Sequence, residues 1–176
     1  RHAPEWQWPA QIEDVRVALR WIREHGGDYD ADPSRLAVLG RSAGAQLAMV
    51  AAYEPGAPPI SAVVSYYGPV DLADGYRNPP APDPIDVRSI EEAFLGGTPE
   101  SQPGRYRESS PISYVDSRTA RVRAASMPPS LLVYGRRDHV VESRFGAILD
   151  ARLRSAQTTA VFLEIPWAEH AFDVIS

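Results

Sequence analysis

The chain has 176 residues, of which 44% are hydrophobic and 23% are charged, and this composition is typical of one globular domain. Its net charge of -5 argues against a nucleic-acid-binding surface, and the sequence holds no apolar run long enough for a membrane span. All 18 basic residues are arginine and cysteine is absent, which excludes thiolate metal sites, thiol nucleophiles and mechanisms that need a lysine, such as Schiff-base chemistry.

The first predicted element is an amphipathic helix over residues 9–25. Apolar side chains recur there at helical spacing, and Gly26 and Gly27 end the run. A turn segment with the sequence YDADPSRL leads into a short buried strand over residues 36–39, and an alanine-rich helix over residues 43–53 follows it. The chain therefore opens as helix, strand and helix.

Three further strands and one further helix are predicted in the rest of the chain. They are strands over residues 60–66, 131–134 and 160–165, and a helix over residues 142–156. Helices that alternate with apolar strands indicate an α/β fold, with a mostly parallel sheet and helices on both of its faces. We expect the four strands to be neighbours in chain order and all parallel.

A segment rich in proline, serine and arginine, residues 71–126, separates the second and third strands. A structureless loop of this length is unusual in a compact domain, so we interpret it as a cap or lid-like insertion within a single domain, residues 1–176. Inside it, the sequence SIEEAFLGG predicts a short helix with Ser89 as its N-cap and Gly96 as its stop.

The sequence GRSAG, residues 40–44, places Ser42 between a predicted strand and a predicted helix. This is the pattern of the G-x-S-x-G nucleophile elbow, in which glycines allow a tight turn that projects the serine hydroxyl above a sheet. A turn serine that caps the following helix is the plain alternative. Because the chain holds no lysine, a nucleophilic serine needs a histidine or a carboxylate as its base.

The partners of Ser42 are expected in the loops after the strands, since ligands of parallel α/β sheets bind at the carboxyl ends of the strands. Asp138 follows the third strand and His170 follows the fourth, while Asp71, after the second, is an alternative acid. A serine nucleophile requires an imidazole to accept its proton and a carboxylate to orient that imidazole. The chain order of Ser42, Asp138 and His170 is the order of α/β-hydrolase triads.

Other residues near these loops have less specific signals. His170 has the alternative of being a surface histidine near a helix start, and His139 is interpreted as structural, because it points elsewhere when its neighbour Asp138 faces the site. Four aromatic residues either line an acyl pocket or belong to the edge of the core: Trp6, Trp8, Tyr66 and Trp167.

Six segments, taken in order, resemble the hormone-sensitive-lipase-like or acetyl-esterase group of α/β-hydrolases. They are RHAPEWQWPAQIEDVRVALRWI, GRSAG, VVSYYGPVDL, LGGTPE with SSPISYV, LLVYGRRDHVV and EIPWAEHAFD. The resemblance covers nearly the whole chain and implies the C-terminal two-thirds of such an enzyme, incomplete at both ends. Two positions depart from the pattern: Arg41 stands where an aspartate is common, and Ala45 where a second glycine is common.

The resemblance implies a serine carboxylic-ester hydrolase, carboxylesterase or lipase-like, that acts on small or short-acyl esters through an acyl-enzyme, with no metal and no cofactor. In such an enzyme Ser42 attacks the carbonyl and His170 transfers the proton. Asp138 orients the imidazole, and the backbone N–H of Ala43 contributes to the oxyanion hole. The family's second oxyanion donor lies in a glycine-rich loop that would precede this sequence, so we expect the chain alone to be a poor esterase.

Two other functions stay open at this point. An amidase or peptidase of the same fold has the same triad order, and a non-catalytic binding module would use the same pocket. The expected partner is a small-molecule ester, and the uncovered edge of the first strand makes a homodimer an option. We expect no nucleic acid, no membrane-spanning segment and a cytoplasmic location.

Overall fold

The computed structural model describes residues 1–115 and 127–174, and it contains every predicted helix and strand in the predicted order. Their ends lie within two residues of the prediction, except that the helix predicted after Ser89 begins three residues earlier. The helices and strands are α1 (Ala10–His25), β1 (Ala37–Arg41), α2 (Ala43–Tyr53), β2 (Ala62–Tyr66), α3 (Leu72–Arg77), α4 (Val87–Leu95), α5 (Pro103–Ser109), β3 (Ser130–Gly135), α6 (Arg144–Ser155) and β4 (Ala160–Ile165). The last part of the predicted insertion, residues 116–126, lies outside the described residues.

The four strands form one parallel sheet in the order β1-β2-β3-β4, which confirms the predicted sheet. Gly40 pairs with Ser65, Ser65 with Leu132, and Leu132 with Phe162, so these residues form one row across the sheet. Because all strands run in the same direction, the loops that follow them emerge at one edge. That shared edge is where the candidate residues after each strand meet.

One face of the sheet packs against α2 and α6. Met49 of α2 and Ser65 of β2 both lie against Gly68, and Gly146 of α6 lies against Tyr134 of β3. Ser65 and Tyr134 point to the same face in this register. The hydrophobic core therefore lies between this face and the two helices, and α1 packs against α2.

The opposite face carries exposed aliphatic side chains. Leu39, Val161 and Leu163 are 58%, 46% and 48% exposed. Within residues 1–115 and 127–174, the helices that contact the sheet pack on its other face. Apolar side chains on both faces of a strand give the same continuous run whether or not a helix covers each face, so the sequence pattern does not distinguish the two cases.

Two of the short helices that follow β2, α3 and α4, begin at aspartate caps. The Asp71 carboxylate accepts from the backbone N–H of Asp74 at the start of α3 (3.1 Å). The Asp86 carboxylate accepts from the backbone N–H and the hydroxyl of Ser89 (3.3 and 2.6 Å), so the N-cap of α4 is Asp86 and not the predicted Ser89. A charged carboxylate is the stronger acceptor, and it starts the helix earlier. Gly96, with φ 82°, ends α4 as predicted.

One carboxyl group of α4 is buried. Glu91 is 8% exposed, and its Oε2 atom has no hydrogen-bond partner among the described residues. Burial, and to a smaller extent the nearby carboxylate of Asp71, raises the pKa of Glu91 to about 9. The Glu91 side chain is therefore neutral in the folded protein near pH 7.

The close contact between α6 and the sheet predicts a strong effect of adding one methyl group. A Cβ atom at Gly146 would lie 2.5 Å from the Tyr134 ring and 2.6 Å from the Phe162 ring. Gly146→Ala should therefore destabilise the protein by about 1–3 kcal/mol, which is typical of overpacked cores. Gly104→Ala in α5 is the matched control, because no atom lies within 4 Å of its Cβ position. Thermal unfolding followed by circular dichroism tests this, and equal melting temperatures for Gly146→Ala and wild type would contradict it.

The buried carboxyl group predicts a pH-dependent stability difference. Between the unfolded-state pKa of 4.5 and the folded-state value of about 9, native Glu91 binds a proton that the unfolded chain has lost. The stability of the wild type relative to Glu91→Gln should therefore fall as the pH rises through this range, with a slope approaching about 1.4 kcal/mol per pH unit. Urea unfolding at a series of pH values measures the difference. Parallel curves for the two proteins would contradict the prediction.

Candidate active site

Ser42 occupies the turn between β1 and α2 in a conformation that is rare for a residue with a side chain, φ 49° and ψ -124°. Its backbone N–H donates to the carbonyl of Tyr66 at the end of β2 (3.0 Å). A Cβ atom at Gly40 would overlap the carbonyl of Gly44, so only glycine lets α2 begin this close to the strand. A Cβ atom at Gly44 would meet open space. The turn has the geometry of a nucleophile elbow.

The Ser42 hydroxyl lies 3.0 Å from Nε2 of His170 and makes no capping hydrogen bond to α2. Nδ1 of the same ring lies 2.8 Å from Oδ2 of Asp138. Since a carboxylate oxygen only accepts, Nδ1 carries the proton and donates to Asp138. Nε2 of the neutral ring then accepts from the Ser42 hydroxyl. The structure brings the three predicted side chains together in one hydrogen-bonded series.

The Asp138 carboxylate is fully buried, and its second oxygen is also bonded. Oδ1 accepts from the backbone N–H groups of Val140 and Val141, at 2.8 Å each. Both oxygens therefore have fixed partners, and the carboxylate is held in one orientation. That orientation sets the position of the His170 ring.

The loops that carry Asp138 and His170 are packed backbone to backbone. The N–H of Arg137 donates to the carbonyl of Ala168 (3.0 Å), and a Cβ atom at Gly135 would overlap the same carbonyl. Glycine at the end of β3 thus allows the two loops to approach each other. This approach brings the acid within reach of the imidazole.

A second network anchors the loop after His170. The Asp173 carboxylate accepts from the Tyr67 hydroxyl and from Nε of Arg41, at 2.5 Å each, and the Tyr67 ring packs on the imidazole at 4.6 Å between centroids. Burial raises the pKa of the Asp173 carboxyl group, but the hydrogen bonds from Tyr67 and Arg41 outweigh this effect, so the pKa is lowered overall. Burial and the neighbouring Asp173 raise the pKa of the Tyr67 phenol. The sequence pattern did not indicate a role for Tyr67. The one feature that could have pointed to it is its position directly after β2.

The remaining candidates lie apart from this series. Asp71, the alternative acid, caps α3 and lines a neighbouring cavity, and it is Asp138 that contacts His170. His139 is half-exposed and its Nδ1 lies 2.9 Å from the Glu169 carboxylate. It makes its contact with the surface of the loop and not with Ser42.

A cavity of about 430 Å³ opens beside Ser42 and Ala43. The backbone N–H of Ala43 is in the first turn of α2, where such groups have no intrahelical acceptor. The walls are largely apolar and include Leu47, Leu72, Ile85, Ile90, Phe94, Val141 and Phe145. The four aromatic candidates do not line it: Trp6, Trp8, Tyr66 and Trp167. Aliphatic side chains of the insertion, and not these four aromatic residues, line the cavity.

Residues 1–115 and 127–174 hold neither a cluster of metal ligands nor a membrane-spanning helix. In these ranges no three histidine, cysteine, aspartate or glutamate side chains are grouped as ligands of a metal ion would be. Among the helices of the same ranges, none has the length and apolar character that crossing a membrane requires.

Comparison with known proteins finds similar sequences among esterases. Esterase LipQ of Mycobacterium tuberculosis is 33% identical over 184 aligned positions, which cover 98% of this chain and 41% of LipQ. The probable carboxylic ester hydrolase LipM of the same organism is 28% identical over 99% of this chain and 41% of its own length. A solved truncated form of a carbohydrate esterase from gut microbiota is 26% identical with a TM-score of 0.77, over 94% of this chain and 63% of that one.

The chain thus spans about two fifths of the length of the curated relatives it matches. The BD-FAE family model matches residues 1–153, which include Ser42 and Asp138. The match and the α/β sheet agree with the resemblance to hormone-sensitive-lipase-like enzymes. The chain therefore belongs to the BD-FAE family, within the hormone-sensitive-lipase-like α/β-hydrolases.

Proposed function

We propose that the chain carries the catalytic centre of a serine carboxylic-ester hydrolase. The observation that carries this proposal is the hydrogen-bonded series of Ser42, His170 and Asp138 beside an apolar cavity. The similarity to proteins named as esterases supports the same activity. In this proposal Ser42 is the nucleophile, His170 the general base and acid, and Asp138 the carboxylate that orients the ring.

The proposed reaction begins when Oγ of Ser42 attacks the ester carbonyl and Nε2 of His170 takes the hydroxyl proton. The carbonyl oxygen becomes an oxyanion, which accepts a hydrogen bond from the backbone N–H of Ala43. The bond to the alcohol oxygen then breaks, and His170 donates its proton to that oxygen. Water, deprotonated by the same ring, attacks the acyl-serine; the bond between the acyl carbon and Oγ then breaks, His170 returns the proton to Oγ of Ser42, and the carboxylic acid is released.

Small or short-acyl esters are the substrate class that the cavity favours. A volume of about 430 Å³ with mostly aliphatic walls suits a small, largely apolar ligand. Residues of α3 and α4 supply much of this lining, among them Leu72, Ile90 and Phe94. We therefore propose that the described part of the insertion, residues 71–115, forms a cap over the site.

Two proposals concern the setting of the protein. Within residues 1–115 and 127–174 β1 is the first strand of the sheet, and a homodimer stays a prediction for this protein. A cytoplasmic location likewise stays a prediction.

The proposed nucleophile predicts the outcome of labelling with a fluorophosphonate probe. The probe should label the wild-type protein at Ser42 and leave Ser42→Ala unlabelled, because the probe reacts with a serine that an imidazole activates. Ser65→Ala is the matched control, since Ser65 is buried in β2, and it should be labelled like the wild type. Peptide mass spectrometry locates the adduct. Undiminished labelling of Ser42→Ala would contradict the assignment.

The same preparations separate the alternative functions. Faster turnover of p-nitrophenyl acetate than of p-nitroacetanilide is expected for an ester hydrolase, and the reverse order would favour an amidase or peptidase. A protein that takes up no probe and turns over neither compound would be a binding module.

The acid assignment predicts a large difference between two aspartate variants. Asp138→Asn should lower kcat by about 1,000- to 10,000-fold, because asparagine does not hold the ring in the tautomer that leaves Nε2 free. Asp71→Asn should lower it by less than about tenfold, since Asp71 makes no contact with the imidazole. Steady-state hydrolysis of p-nitrophenyl acetate measures both. A larger loss in Asp71→Asn than in Asp138→Asn would overturn the assignment.

A further inference from the structure

The residue before the proposed nucleophile is bonded to the loop that carries the proposed general base. Arg41 directly precedes Ser42, and its Nε atom donates to Oδ2 of Asp173 (2.5 Å). Asp173 lies three residues after His170. Its other oxygen, Oδ1, accepts from the Tyr67 hydroxyl (2.5 Å). The Asp173 carboxylate thus links the two segments between which the proposed proton transfer takes place.

Tyr67 is held firmly by its own backbone. Its N–H donates to the carbonyl of Val133 in β3 (2.8 Å), and its φ of 41° is rare for a residue with a large side chain. The side chain is buried, and the ring packs on the imidazole of His170 at 4.6 Å and on the Phe172 ring at 5.6 Å between centroids. The Tyr67 ring therefore restricts the positions that the imidazole can take.

The loop after His170 has a backbone that needs such support. Ala171 has a φ of 61°, in the left-handed region that residues with a side chain rarely adopt. The N–H of Val174 donates to the carbonyl of Ala171 (2.9 Å) and closes a turn around Asp173. A strained conformation persists only where surrounding contacts hold it. The carboxylate in this turn provides contacts of that kind, to the end of β1 and to the residue after β2.

The hydrogen bond from Asp138 fixes the imidazole at one atom, Nδ1. A ring bonded at one atom can still swing about that contact, and Nε2 would then move away from the Ser42 hydroxyl. Proton transfer requires the two atoms to be within hydrogen-bond reach, and a displacement of about 1 Å can lower a rate by about 100-fold. The position of Nε2 therefore depends on further contacts to the ring and to its loop.

We propose that Asp173 is a positioning residue, which acts with Arg41 and Tyr67 to keep Nε2 of His170 at hydrogen-bond distance from Ser42. The carboxylate anchors the loop to β1 and orients the tyrosine, whose ring packs against the imidazole. The role requires no contact with the substrate. It rests on the proposed ester hydrolysis for its effect on turnover, but not for its effect on the ring itself.

The kinetic test compares two variants of this network. Asp173→Ala should lower kcat for p-nitrophenyl acetate by about 30- to 100-fold. Tyr67→Phe, which keeps the ring and removes the hydroxyl, should lower it by about three- to tenfold. KM should change by less than about threefold in both, because the imidazole acts in the formation and in the hydrolysis of the acyl-enzyme, so both steps slow together. A higher KM with unchanged kcat would contradict the role.

Two control variants remove similar groups elsewhere in the protein. Asp150 and Arg154 of α6 form an ion pair with side chains 18% and 59% exposed, against 17% and 52% for Asp173 and Arg41. Asp150→Ala therefore deletes a carboxylate of matched burial. Tyr53→Phe removes another buried and hydrogen-bonded tyrosine hydroxyl. Both controls should keep kcat within about twofold of the wild type, even where they lower the melting temperature.

A change of sign tests whether the charges of Arg41 and Asp173 act on each other. In the wild type, Asp173→Asn should lower kcat by about three- to tenfold, because it removes a charge-assisted hydrogen bond. Arg41→Glu should lower kcat further, since two carboxylates then repel each other. Adding Asp173→Asn to Arg41→Glu should raise kcat again, because the asparagine amide donates to the new carboxylate. A further fall in the double variant would contradict this pairing.

The state of the ring is measured without any substrate. Two-bond ¹H–¹⁵N correlation spectra show which nitrogen of a neutral imidazole carries the proton, and the signals of His170 are those that disappear in His170→Gln. In the wild type the proton should be on Nδ1. In Asp173→Ala both nitrogen shifts should move toward the average of the two tautomers, as expected for a ring that leaves its partner. Asp150→Ala should give the wild-type spectrum.

The two measurements separate this proposal from the proposed activity. A wild type that does not hydrolyse p-nitrophenyl acetate would contradict the ester-hydrolase proposal, and the ring spectra alone would then decide the role of Asp173. Three results would each overturn that role: kcat of Asp173→Ala within threefold of the wild type, an equal loss in Asp150→Ala, or the same ring tautomer in Asp173→Ala and the wild type.

Discussion

The close approach of the first turn of α2 to the end of β1 is the constraint on which the site depends. Gly40 has no room for a side chain, because a Cβ atom there would overlap the carbonyl of Gly44. The chain turns at Ser42 with a positive φ, a conformation that costs on the order of 1–3 kcal/mol and persists only where surrounding contacts hold it. The hydrogen bond to Tyr66 and the packing of α2 on the sheet provide that hold. The consequence is a hydroxyl that faces His170 and leaves the helix uncapped.

The parallel sheet and the insertion after β2 contribute differently to the site around the Ser42 hydroxyl. The parallel sheet fixes the loops after β1, β3 and β4, and close backbone contacts such as that of Gly135 with Ala168 fix the distance between the acid and the imidazole. The insertion after β2, by contrast, supplies the largest single group of residues in the cavity wall. Changes in α4 can therefore alter what the cavity binds without moving the hydrogen-bonded series. This separation is common where a rigid scaffold presents variable loops.

The sheet and the three residues of the hydrogen-bonded series could be predicted from the sequence, because their signals are local. The apolar runs and the two glycines around Ser42 each lie within a few residues, and the order of the loops follows from the order of those runs along the chain. Contacts between distant segments have no local signal in the sequence. Arg41 and Asp173, for example, form a hydrogen bond although they are 132 positions apart. The burial of Glu91 also could not be predicted, since a glutamate in a short helix is ordinarily exposed. The apolar strands, for their part, gave no information on which face the helices cover.

The most direct test of the account is to capture the intermediate it requires. The protein is mixed with p-nitrophenyl acetate, quenched during the burst of p-nitrophenol, and digested for peptide mass spectrometry. The account predicts one acetyl group, carried by the peptide that contains Ser42 and formed as fast as the burst. Turnover of the ester with no acetyl group on Ser42, or with the acetyl group on another residue, would contradict it.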